Sequence, residues 1–413
     1  MSARDKCDVI IVGAGAAGLM AAIWAGRTHP GTSITVLDGA KKLGAKILVA
    51  GGGRCNVTHY TVDAERYAGS STKAIGKVLR RFDVPETIAF FRDLGVQLKR
   101  EDTGKLFPTT DAASDVLQAL LKAVESVGVS LQHPKRVDSI EKTVDGFTVA
   151  GTWGKLHCKQ LVLATGGMSL PKSGSDGQGF SFVRTLGHKV NRTFPALVPL
   201  ILSEQDPIRT LSGITVPATL RLHTSHGKHR IAYTNSTLCT HFGLSGPSVL
   251  DISRHLIDAQ EADPLAYLTI NWAPNIDATD VDMGLQRLGK GSIRKFLQVL
   301  ALPERLVLML LHQSGLSANS RGDQLSRPSR RALMQNLTEM RLDVTGNRGY
   351  KFAEVTAGGV PLTEIDLKYM ASRVCEGLFL CGEICDVDGP IGGLNFQWAW
   401  SSGYLAGISV GGE

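Results

Sequence analysis

The feature that most constrains this chain lies near its start. The stretch "CDVIIVGAGAAGLMAAIWAGR" opens as an apolar strand, turns through Gly13-x-Gly15-x-x-Gly18 and continues as an amphipathic helix. A second strand, "SITVLD" (33–38), places Asp38 twenty residues beyond the last of those glycines. Strand, glycine turn, helix, strand and acid in this order form a dinucleotide-binding unit. Gly13 permits the tight turn, Gly15 lets backbone approach a pyrophosphate, and Gly18 lets helix and strand pack closely. The helix N-terminus offers free N–H groups to phosphates. Asp38 is placed to accept from ribose hydroxyls and disfavours a 2′-phosphate.

The rest of the chain is read around that unit. Helical patterns follow near 73–94 and 114–127. Alternating stretches at 135–142, 146–150 and 155–164 read as a meander that ends in the buried strand of "LVLATGG". After Pro195 the pattern changes: "LVPLIL", "ATLRLHT" and "HRIAYTN" alternate like strands, and "GPSVLDISRHLI" is helical in pattern. From about 280 to 340 short helices are split by Gly291, Pro303, Gly315 and Pro328. "GLFLCGE" then restores a buried strand. The fold class expected is α/β, with one discontinuous nucleotide domain over 1–194 plus 351–413. A β-barrel-like insert is expected over 195–276 plus 341–350, and a helical insert over 277–340.

Composition narrows the class. The seven cysteines contain no CxxC pair, so neither a zinc ribbon nor a thioredoxin-type redox disulfide is signalled, and no metal site is expected. Glycines interrupt the apolar run at 9–25, so no membrane span is expected, and the reading is a cytoplasmic protein. The net charge is +7, and 287–341 alone holds ten Lys/Arg against three acids, a surplus of seven. The segment is either a solvated helical face or a contact for a polyanion such as RNA.

Two further segments decide between FAD and NAD. "LVLATGG" resembles the second flavin-contacting strand of two-dinucleotide-type flavoproteins, with Thr165, Gly166 and Gly167 in its turn. "LFLCGEICDVDGPIGGLNFQWAWSSGYLAG" resembles their C-terminal flavin segment. That resemblance assigns Gly382, Glu383, Gly392, Gly393, Asn395 and Phe396 to the cofactor, with the helix start facing the flavin's pyrimidine edge. No second GxGxxG follows a strand, so FAD is the expected cofactor, and NAD(P)H is expected only as a transient electron donor.

Taken in order, "GAGAAGL", "GGGRCNVT", "ATGGMSLPKSGSDGQG", "THFGLSGP", "VTAGGV" and "GEICDVDGPIGGLNFQWAWSSG" resemble the BaiN/RdsA (YhiN-like) flavoproteins over nearly the whole chain. The resemblance implies an FAD domain interrupted by a barrel-like and a helical piece. It also implies two-electron reduction of a conjugated C=C bond, in uracil of ribosomal RNA or in unsaturated bile-acid intermediates. His59, Leu394 and the order "SDGQG" depart from the usual family letters and mark a divergent branch.

In this setting "GGGRCN" (51–56) wraps along the cofactor. Gly51, Gly52 and Gly53 allow close approach, Arg54 sits near the pyrophosphate or an anionic substrate, and Asn56 fixes the loop. Ala17 and Val137 complete the expected cofactor set. Cys55, beside Arg54, is expected to have a lowered pKa and to protonate carbon opposite hydride delivery, or else to be a small packed residue. His241 in "THFGLSGP" is the second candidate acid, with an ordinary loop histidine as the alternative. Uridine in ribosomal RNA ranks first as substrate, through the basic segment 287–341. A small-molecule flavin oxidase or ene-reductase is the alternative, and a non-catalytic FAD-bound RNA-binding protein is a third reading.

Overall fold

The apolar run before Gly13 forms strand β1 (Lys6–Val12), whose residues Val9 to Val12 are all buried, as a central parallel strand requires. The glycine turn leads into helix α1 (Ala16–Thr28), and the chain returns through β2 (Ile34–Leu37), paired parallel to β1. The computed structural model describes residues 6–412. Contacts divide the chain into two units: one runs to Pro195 and resumes at Glu354, and the other spans Ala196–Ala353.

In the first unit β1 lies between β2 and the long strand Gly154–Leu163, which pairs parallel to Leu378–Leu380 on its far side. Ser130–Gln132 extends the parallel sheet beyond β2. The antiparallel strands Ser139–Thr143 and Gly146–Gly151 form the meander expected from the sequence. All of these strands belong to one sheet, of nine strands among the described residues.

The C-terminal helix, Leu394–Ser409, is buried on nearly every side and packs along α1. Two glycines one turn apart make that approach possible. A β-carbon at Gly403 would lie 2.5 Å from the Ala17 carbonyl oxygen, and one at Gly407 would lie 2.6 Å from that of Ala21.

The second unit is built on an antiparallel sheet. Its order is Met340–Arg341, Tyr267–Asn271, Thr215–His223, His229–Thr240, Gly243–Ser245, Leu200–Leu202 and Val344–Asn347. The two edge strands are consecutive in the chain, joined by residues 342–343, so the sheet curls toward a barrel. The helices Glu304–Gln313 and Arg327–Thr338 place Leu306, Leu310, Leu333 and Leu337 in the same core as Leu220, Ile270 and Trp272 of the strand region. Strand-rich and helical stretches therefore share one apolar interior. The Trp272 N–H, donating to the Leu337 carbonyl at 2.9 Å, joins them by backbone as well.

Gly403→Val is expected to destabilise the first unit by about 1–3 kcal/mol through overpacking against α1. Urea unfolding of the apoprotein would show this as an earlier midpoint. Gly346→Ala, where an added methyl meets open space, serves as the control that leaves the midpoint in place.

Candidate functional site

Three chain turns leave the sheet side by side at the carboxyl ends of parallel strands, the edge at which open α/β sheets hold their ligands. Gly13 follows β1, Ala164–Gly167 follow Leu163, and Cys381–Glu383 follow Leu380. Backbone hydrogen bonds tie the exits together: Gly13 N–H to Leu37 (2.8 Å), Ala164 N–H to Val12 (2.9 Å) and Cys381 N–H to Leu163 (3.2 Å). Gly13 has φ +103°, and a β-carbon there would meet the Ala164 carbonyl oxygen at 2.4 Å. At Gly18 it would lie 1.8 Å from the Gly13 carbonyl oxygen, while at Gly15 it would meet nothing within 4 Å. Two of the glycines thus close the turn against the protein, and the third faces open space. Ala17 faces the third turn: a β-carbon at Gly382 would lie 2.7 Å from that of Ala17.

Asp38 is held at the tip of β2. Its Oδ2 accepts from the Ala14 N–H at 2.6 Å and its Oδ1 from the Ala40 N–H at 2.7 Å. Each carboxylate oxygen keeps a lone pair for a further donor, which suits two vicinal ribose hydroxyls. The Asp38 carbonyl accepts from the Lys135 N–H at 2.6 Å, which draws the segment carrying buried Val137 alongside.

Helix α2 (Ala45–Gly53) ends irregularly. Ala50 is extended, and Gly51, Gly52 and Gly53 take φ of +57°, +70° and +88°. A β-carbon at Gly52 would meet nothing within 4 Å. Just beyond, Asn56 is buried and its Oδ1 has no hydrogen-bond partner; the same holds for the buried Thr165 Oγ1. Buried polar atoms are nearly always paired, so these two, beside the strand exits, are open to a hydrogen-bonding group from outside the chain. Open faces at Gly15 and Gly52, two orphaned polar atoms and a pre-oriented Asp38 fit an extended dinucleotide cofactor.

Several sequence expectations change here. Cys55 is fully buried with φ +59°, and burial pushes its thiol up to about 12, not down. Arg54 does not lower it, because the guanidinium turns outward: it bonds Glu101 at 2.6 Å, reaches Asp111 at 3.5 Å and lies over the Phe107 ring. The loop thus uses Arg54 to anchor itself on the adjacent hairpin. Asn395 braces its own turn, bonding both the N–H and the carbonyl of Gly389, while Phe396 stacks on Trp400. Gly392 and Gly393 have φ of +110° and +93° and deliver the chain into the C-terminal helix. A β-carbon at Gly167 would meet Thr356 Oγ1 at 2.4 Å, and one at Gly166 would meet Ser175 Oγ at the same distance. His241 lies in the second unit, exposed between two strands; its carbonyl accepts from Arg209 and its ring meets the edge of Phe242.

Sequence reading missed Lys46 and Ser169. The Lys46 ammonium bonds Glu383 Oε2 at 2.6 Å and Ser169 Oγ at 2.7 Å, and Ser169 also donates to Glu383 Oε1 at 2.9 Å. The Thr356 N–H adds a further bond to Glu383 Oε1 at 2.9 Å. These residues lie far apart in the chain, and no local motif announces their meeting.

The model of the HI0933-like protein Rossmann domain matches residues 7–409. The chain belongs to this family. This HI0933-like flavoprotein is 34% identical over 97% of each chain to an Escherichia coli protein named ribosomal RNA dihydrouridine synthase. It is 31% identical to a Clostridium scindens 3-dehydro-bile acid delta(4,6)-reductase, over 96% of this chain and 97% of the relative. Among solved structures, 3-ketosteroid delta1-dehydrogenase from Sterolibacterium denitrificans matches with a TM-score of 0.51 at 13% identity, over 98% of this chain and 99% of the other, a likeness of fold. The HI0933-like chain is an FAD-dependent oxidoreductase. Among its described residues no helix is long and apolar enough to cross a membrane.

Asp38→Ala removes the anionic acceptor and loosens the Ala14 and Ala40 turns. Hydrogen bonds to a charged group contribute about 1.5–3 kcal/mol, so FAD affinity should fall at least tenfold when apoprotein is titrated with FAD. Cys55 should resist alkylation. With a pKa raised to about 12, its thiolate fraction at pH 8 is on the order of one in ten thousand, before occlusion is considered. Peptide mapping after iodoacetamide should find Cys55 unmodified in the folded protein and modified after unfolding.

Proposed function

We propose that this flavoprotein reduces an activated carbon–carbon double bond, with uridine in ribosomal RNA as first-ranked substrate and NAD(P)H as a transiently bound hydride source. The overall change moves a hydride and a proton onto C5=C6 of the base and oxidises NAD(P)H to NAD(P)⁺. FAD is the two-electron carrier between them. The chain's own residues hold the adenosine end at Asp38, admit the pyrophosphate at Gly15 and keep water from the buried Cys55–Asn56 wall. Cys55 is a poor donor for the proton because its thiol is sealed from both solvent and ligand. His241, exposed in the second unit with a ring free of hydrogen bonds among the described residues, is the other candidate that the sequence offers. A ribosomal substrate fits a cytoplasmic protein.

The observation that carries the RNA reading is the fate of the ten cations in 287–341. Five are engaged. Arg294 pairs with Glu304, Arg321 with Asp323 and Arg330 with Asp282; Arg305 donates to the Thr210 and Ser212 carbonyls, and Arg341 covers the Tyr267 ring. Arg287, Lys290, Lys295, Arg327 and Arg331 are exposed, and their side chains make no ion pair or hydrogen bond among the described residues. Unneutralised cations on one unit are what a phosphate backbone recruits. The competing reading, reduction of a small conjugated enone, draws support from the comparable identity to the bile-acid reductase.

The deciding measurement is dihydrouridine in ribosomal RNA from wild-type and deletion cells, by mass spectrometry of nucleosides. Loss of a dihydrouridine in the deletion, restored by the wild-type gene, is expected; an unchanged level overturns the RNA reading. In vitro, changing Lys290, Lys295, Arg327 and Arg331 together to Gln should weaken RNA binding at least tenfold at low salt. The slope of log affinity against log salt should fall by about 3, at about 0.7 per contact with single strands. FAD content should not change.

A further inference from the structure

Glu383 was expected to face the cofactor, yet its carboxylate is already committed. One oxygen takes the Lys46 ammonium, and the other takes the Ser169 hydroxyl and the Thr356 N–H. Ser169 closes the ring by accepting from Lys46. The side chains of Lys46 and Glu383 are 26% and 20% exposed, so the pair is neither sealed in the core nor loose on the surface. Such an ammonium is far better fixed than a free surface lysine, whose long side chain samples many rotamers. Two of its three N–H donors are used within the protein, and the third remains.

Its place in the fold gives the arrangement meaning. Lys46 lies in α2, just before the open glycines. Ser169 follows the Thr165–Gly167 turn, and Glu383 follows the last parallel strand. All three belong to segments that leave the ligand-binding edge of the sheet. Among the described residues no other cation pairs with Glu383, whereas Arg54 is drawn off to the Glu101 hairpin.

We propose that Lys46 is the fixed cation of the FAD cleft, stabilising negative charge that arrives when the bound cofactor takes up two electrons, and that Glu383 and Ser169 are its positioning residues. This rests on the FAD-dependent reductase reading but not on the identity of the substrate. A cation preorganised where charge develops acts without reorganisation at the moment of reaction. Ser169, with its hydroxyl bonded to both partners, sets the direction of the ammonium.

The test is the midpoint potential of the bound flavin, measured by dye equilibration on holoprotein with no substrate present. Lys46→Met should disfavour the two-electron-reduced form tenfold or more, a fall of about 30 mV. Lys46→Arg should retain most of the wild-type value, and Glu383→Gln, which removes the carboxylate that neutralises the ammonium, should shift it the opposite way to Lys46→Met. Affinity for sulfite, which gives an anionic flavin adduct, should fall in Lys46→Met and stay near wild type in Lys46→Arg. A Lys46→Met potential equal to wild type, with FAD retained, overturns the proposal and leaves Lys46 as a tether for α2. If Lys46→Met loses FAD, Ser169→Ala carries the test. That variant keeps the ion pair but frees the ammonium, so an unchanged potential there also overturns the proposal. Absence of ribosomal dihydrouridine activity would sink the substrate assignment and leave these potentials untouched, so the two failures are distinguishable.

Discussion

A β-carbon at residue 13 would lie 2.4 Å from the Ala164 carbonyl oxygen, and one at residue 18 would lie 1.8 Å from the carbonyl oxygen of residue 13. Much of the first unit depends on those two contacts being free of side chain. They let α1 start directly off β1 and let the exit of the neighbouring strand pass against the turn. With those exits stitched by backbone hydrogen bonds, the third turn at Gly382 closes on Ala17. The C-terminal helix then has a fixed bed. Trp398 Nε1 bonds the Gly382 carbonyl at 3.0 Å, and the Gly382 N–H bonds Ser402 Oγ at 3.0 Å. Widening at Gly13 would therefore propagate to a helix almost four hundred residues later.

Within that frame, charge is allotted by partner rather than by sequence neighbourhood. Arg54 and Cys55 are adjacent, yet one faces the Glu101 hairpin and the other points into apolar packing. The left-handed φ of Cys55 turns the chain between them, so a cation beside a thiol in sequence confers no electrostatic activation. Lys46 and Glu383 show the converse. They are 337 residues apart, and their ion pair joins α2 to the last turn of the sheet.

The second unit handles its surplus charge differently. Its strands and helices share one interior, which leaves the long basic side chains of the helices on the outside. Some neutralise one another's surroundings, as Arg330 does with Asp282 between two helices. Others remain solvated. Net charge alone does not separate the two groups; helix pairing does.

The dinucleotide unit was legible in the chain because its determinants are local. A strand, a turn and a helix within thirty residues fix where Gly13, Gly15, Gly18 and Asp38 stand, and the structure places their backbone as that pattern requires. The barrel-like strands and short helices after Pro195 were legible for the same reason, since periodicity is a property of neighbouring residues. Side-chain allegiance was not. Whether Cys55 is acid or packing, whether Arg54 and Glu383 face a ligand or a protein partner, and which cations stay free depend on residues brought together across the sheet. The backbone pattern near residue 13 was written in local sterics, whereas the burial of Cys55 and the meeting of Lys46, Ser169 and Glu383 were decided only when distant strand ends came to share one edge.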